Sequence, residues 1–134
     1  MKRIIVILII LSVYAAITSA LPGQRISAPA DKMPDVIAIL NETGYYNDPQ
    51  INSITFTSTA EVSRICEMLP GRTAIGCTQP HWLYSNTFDI WISNEDQDWR
   101  NTLLHEIGHV GFGNESEADT FMMKHANDRN LYIP

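Results

Sequence analysis

The chain is 134 residues long, enough for one small domain with a modest core. Fifteen Asp and Glu stand against nine Lys and Arg, a formal net charge of −6. This acidic balance argues against nucleic acid and anionic membrane surfaces as partners, and solubility alone accounts for it.

Lys2 and Arg3 precede an aliphatic run over residues 4–17, in which Ser12 is the clear polar residue. Thr18-Ser19-Ala20 follows, and Pro22-Gly23 then breaks the chain. This order predicts a signal peptide over residues 1–20, cleaved after Ala20, with secretion or a periplasmic location as the result. The alternative is an uncleaved anchor through residues 4–20, although the apolar run is short for a span of about 20 residues. Cleavage removes Lys2 and Arg3 and no acid, so the mature net charge is −8.

Residues 21–33 are rich in Pro, Ala and Gly and read as a linker, which leaves 34–134 as the domain. Pro34 opens a helix over 34–44, with Val36, Ile37, Ile39 and Leu40 as its apolar residues and Gly44 as its stop. Alternation predicts a strand over 51–58. Thr59 reads as the cap of a helix over 59–69, with Val62, Ile65, Cys66 and Leu69 at helical spacing and Pro70-Gly71 beyond. A strand over 72–78, a loop over 79–86 and a strand over 87–93 follow. Cys66 and Cys77, an even pair in an exported chain, predict one disulfide, typically worth about 2–4 kcal/mol.

The next helix starts near Asp96 or Asp98 and runs to about Val110. At about 100° per residue, His105 and His109 fall about 40° apart, with Asp98, Asn101 and Thr102 on their side. Trp99, Leu103, Ile107 and Val110 form the opposite face, with Leu104 at its border, and would pack on the sheet. Gly111 and Gly113 end this helix, and a last one runs from about Glu115 to Asp128.

His105-Glu106-Ile107-Gly108-His109 is an HExxH sequence. One helical turn lets both imidazoles reach a single ion at about 2.0–2.1 Å, and zinc suits such a site. Glu106 follows the first ligand directly, so it points beside the metal, where it can move a proton. A third ligand is needed. On the last helix Glu115, Asp119, Met122 and Ala126 share one face, whereas Glu117, Lys124 and Asp128 share the other. Glu115 is therefore the expected third ligand. Asp119, one turn on, would accept a hydrogen bond from a ligand histidine and set its tautomer. Glu117 and Asp128 read as solvent-facing charge, and His125 as a surface or packing residue.

His105-Glu106-x-x-His109 followed by Glu115-x-x-x-Asp119 resembles the zinc core of gluzincin metallopeptidases. "TLLHEIGHVGFG", after its strand–helix–strand–strand order, resembles a compact matrixin-type metzincin. Counted without gaps, the metzincin third-ligand position falls on Glu115 and its methionine on Met123, while Phe112 stands at its glycine. Both likenesses nominate Glu115, and together they imply a zincin.

The resemblance implies a small α+β zincin-like domain. In it a three-stranded mixed sheet packs on the HExxH helix, and a C-terminal helix carries the third ligand. It implies an exported zinc metallopeptidase that hydrolyses peptide bonds through a zinc-activated water, with Glu106 as general base and then acid. The partner would be a peptide or protein substrate, paired to a cleft-edge strand matched by residues 88–93. Tyr84, His81 and Tyr132 are candidate oxyanion stabilisers by residue type alone. Two other readings stand beside this one: a non-catalytic zincin-like module that binds peptides, and a zinc amidase acting on cell-wall peptides.

Overall fold

A computed structural model of the chain describes residues 23–83 and 86–128. The expected signal peptide, Tyr84 and Tyr132 lie outside these residues. Among the described residues no helix is long and apolar enough to cross a membrane.

The fold is α+β, with eight elements among the described residues. These are β1 (Arg25–Ser27), α1 (Met33–Thr43), β2 (Ile51–Thr57), α2 (Thr59–Ile65), β3 (Gly76–Pro80), β4 (Phe88–Ser93), α3 (Trp99–Gly111) and α4 (Glu115–Asp128). The strands form one mixed sheet in the order β1-β2-β4-β3. β1, β2 and β4 run parallel, and β3 runs antiparallel to β4.

The sheet has four strands rather than the expected three. The extra strand, β1, comes from the segment read as a linker. Its three residues are too few to show alternation, yet Ile26 packs against the core between two outward polar neighbours. Gln24 fastens the entry to it, donating to the Tyr45 carbonyl (2.8 Å) and accepting from Asn47 N–H (3.2 Å).

One face of the sheet carries the core. Ile54 and Phe56 of β2 and Ile90 and Ile92 of β4 pack there against Val36, Ile39 and Leu40 of α1. Trp99, Leu103, Leu104, Ile107 and Val110 of α3 complete it, with Ala126 of α4. The apolar stripe of α3 thus packs as its periodicity requires. Pro34 lies in the first turn of α1, and Gly44 ends that helix at φ 81°, a left-handed conformation glycine adopts without a Cβ penalty.

The other face is covered only in part, by α2. Cys77 and Gln79 of β3 point to that face: Cys77 is joined to Cys66 (S–S 2.00 Å), and Gln79 donates to the Ile65 carbonyl (2.8 Å). The expected disulfide is therefore present. Ser58 caps α2, accepting from Glu61 N–H at 3.2 Å, where Thr59 was expected to cap it. The helix ends at Ile65, short of Leu69, because Glu67 turns left-handed (φ 55°) and Met68 N–H reaches back to the Ser63 carbonyl. A left-handed glutamate carries no sequence signal comparable to that of glycine.

β3 is displaced from residues 72–78 to Gly76–Pro80, so it includes a proline. His81 N–H donates to the Thr87 carbonyl and Ser93 N–H to the Ile75 carbonyl. Odd-numbered residues of β3 therefore face β4, and even-numbered ones turn their backbone groups to the free edge. Pro80, which lacks an N–H, falls on that free edge and costs the ladder nothing.

Candidate metal centre

The centre is built where α3 and α4 cross. His105 and His109 lie one turn apart on α3, with rings nearly perpendicular and Nε2 atoms 3.1 Å apart. Glu115, the first residue of α4, meets both: Oε2 is 3.0 Å from His105 Nε2, and Oε1 is 3.2 Å from His109 Nε2. These three residues are the group able to hold a metal ion among the described residues. The spacing fits. Ligands about 2.0–2.1 Å from a tetrahedral ion stand about 3.3 Å from one another, close to the separations found here.

Asp119, one turn on from Glu115, stands beside His105. Its Oδ1 lies 2.8 Å from His105 Nδ1. A proton on Nδ1 would leave Nε2 as a lone-pair donor turned toward Glu115 and His109.

A close helix contact and a helix cap bring these groups together. A Cβ on Gly108 would stand 2.9 Å from the Ala118 Cα, so the backbones of α3 and α4 come this close only because Gly108 has no side chain. Asn114 starts α4 by accepting from Glu117 N–H at 2.8 Å. Glu117 itself is exposed, as expected, and the Asp128 side chain lies outside the described residues. His125 lies against Phe121, with ring centroids 4.4 Å apart and planes tilted by 52°, and is a packing histidine.

Glu106 differs from the carboxylates around it. It is 6% exposed, whereas the Glu115 side chain is 78% exposed. Its Oε2 accepts from the Thr78 hydroxyl at 2.7 Å, and that hydroxyl is also 2.9 Å from the Glu106 carbonyl. Burial pushes the Glu106 carboxyl above its ordinary range, against the opposing pull of Thr78, His105 and His109.

A cleft of about 360 Å³ opens over the centre, lined by Gly76, Thr78, Phe88, Glu106, His109 and Glu115 among others. Its strand wall is β3. Residues 88–93 were expected to form this edge, but β4 is paired on both sides and lies inside the sheet. Gly76 and Thr78 are the β3 residues whose backbone N–H and C=O face the free edge.

His81 is not part of the centre. It lies on the opposite face, where its Nδ1 is 2.7 Å from Asp89 Oδ2. Asp89 also accepts from Asn52 (2.8 Å) and Ser53 (2.7 Å). Burial works to raise the Asp89 carboxyl, but these donors together hold it below its usual range.

Sequence reasoning missed Thr78, Gly76 and the Gly108–Ala118 contact. Gly108 carried a signal, since glycine inside a helix costs about 1 kcal/mol relative to alanine and calls for a packing reason. Gly76 in an otherwise strand-like stretch carried a similar one. Thr78 carried none. Compared with protein-family models, with curated proteins and with solved structures, the chain matches none.

Proposed function

We propose that the protein is an exported zinc metallopeptidase of zincin type, with His105, His109 and Glu115 as ligands and peptides as substrates. The observation that carries this reading is the buried Glu106 carboxylate in the wall of the same cleft as His109 and Glu115, two of the three converging donors. A solvated helix has no reason to bury a carboxylate, whereas proton transfer in a water-poor site does.

Bound zinc would supply a Lewis acid for the substrate carbonyl and lower the pKa of water to about 7. Asp119 holds the His105 tautomer that leaves Nε2 free to ligate. Glu106 takes a proton from the attacking water as its oxygen bonds to the peptide carbon. It then delivers that proton to the amine nitrogen as the C–N bond breaks. The free edge of β3 offers Gly76 and Thr78 backbone groups to an extended peptide, which would bind as an added strand. The choice of zinc rests on the donor set, since two imidazoles and one carboxylate suit it.

Metal analysis and peptide hydrolysis by the purified protein and its Glu106→Gln variant test the reading. Both should bind about one zinc per chain, and the variant should lose about 10²–10⁴-fold in rate. Hydrolysis retained in Glu106→Gln would overturn the mechanism. Zinc-loaded protein that binds peptides without cleaving them would make the domain a binding module instead. Cleavage of cell-wall peptides in preference to protein substrates would make it an amidase.

A further inference from the structure

We propose that Thr78, with Gly76 beside it, positions the Glu106 carboxylate, an inference that rests on the reading of Glu106 as the proton carrier. Among the described residues the Thr78 hydroxyl is the one hydrogen-bond partner of that carboxylate. It has a single proton and two acceptors, the carboxylate at 2.7 Å and the Glu106 carbonyl at 2.9 Å. The charged acceptor at the shorter distance is the stronger, so the proton goes to Oε2.

Gly76, two residues earlier on the same face of β3, does the complementary work. A Cβ there would lie 3.3 Å from Glu106 Oε1 and from Cγ, and 2.7 Å from Thr102 Cγ2. The bare backbone at 76 leaves room for the oxygen that Thr78 does not hold. One oxygen is tied to the strand, and the other stays in the cleft that Glu106 shares with His109 and Glu115.

The cradle is stiffened from behind. β3 is an edge strand, paired on one side only, and such strands fray readily. Cys77 lies between Gly76 and Thr78, and its disulfide to Cys66 pins the strand to α2 from the opposite face. Glu106 lacks such a staple of its own: three side-chain torsions separate its carboxylate from the helix. Misplacement by about 1 Å is enough to cost on the order of 10²-fold in rate.

The test compares Thr78→Val, which keeps shape and loses the hydroxyl, with Thr78→Ser, which keeps the hydroxyl. Thr78→Val should bind zinc like the wild type and lose about 10–100-fold in kcat with KM little changed, and Thr78→Ser should recover most of the loss. Crystal structures supply a readout independent of turnover: the Glu106 carboxylate should leave its place in Thr78→Val and keep it in Thr78→Ser. Wild-type kcat in Thr78→Val, equal losses in both variants, or an unmoved Glu106 in the Thr78→Val crystal would each overturn the proposal. If the zinc-loaded wild type cleaves no peptide, the peptidase reading fails, and the position of Glu106 in the two crystals still decides the role of Thr78.

Discussion

A histidine gives a divalent ion one ring nitrogen while the other carries the proton, and a neighbouring acceptor decides which is which. Asp119, 2.8 Å from His105 Nδ1, is placed to be that acceptor. Asp119→Ala should weaken zinc binding by about 10–100-fold, the usual cost of losing such a partner. Asp119→Asn, which retains an acceptor oxygen, should lose less. Competition with a chromogenic chelator measures both, and equal affinity in wild type and Asp119→Ala would show that the His105 tautomer is set by something else. Asp119 was legible in the sequence because it lies one turn from Glu115 on the same helix face, and backbone hydrogen bonding fixes the helical repeat whatever the side chains. Thr78 lies 28 residues from Glu106, and they meet only through the register of a strand against a helix. Local pattern does not encode that register.

At the level of elements, the centre depends on how closely α4 approaches α3. Gly108 and Ala118 set that distance, and with it the place of Glu115 and Asp119. Gly108→Ala opposes two effects. Alanine is the better helix former by about 1 kcal/mol. Its Cβ, however, meets the Ala118 backbone, which cannot rotate away, and overpacking costs about 1–3 kcal/mol. Packing should win, so thermal denaturation should show a lower Tm, and zinc affinity should fall as Glu115 is pushed outward. A raised Tm with unchanged affinity would show that the helices separate without cost. The helices themselves were legible from apolar spacing, from Pro34 and Gly44 and from the histidine pair. The sheet was less so. β1 is too short to reveal a period, β3 runs through a proline whose missing N–H faces the free edge, and β4 looks like an edge strand until its second neighbour is placed. Strand order is a property of pairings distant in sequence, which is why the cleft wall was assigned to residues 88–93 rather than to Gly76–Pro80.

For the molecule as a whole, an ion bound at the centre would also be a fastening. α4 follows the sheet and α3, and its buried apolar contribution is small, chiefly Ala118 and Ala126, with Phe121 and Met122 packed at the core margin. Its first turn brings Glu115 to the two histidines and Asp119 to His105. An ion held by all three ligands requires α4 docked on α3, and the unfolded chain offers no such site. Binding free energy therefore adds to folding free energy. At zinc concentrations of about 100 times Kd the gain is about 2.7 kcal/mol. For a domain of roughly 100 residues, that corresponds to a rise in Tm of about 13 °C. A chelator should reverse it. Glu115→Ala removes one ligand and one link between the helices, so its Tm should respond far less to zinc at the same concentration. Hydrogen exchange should show the zinc-dependent protection concentrated in α4 and the second half of α3. Zinc that binds stoichiometrically, yet leaves Tm and exchange in α4 unchanged, would mean that the ion is held without Glu115, and the ligand set would have to be reassigned.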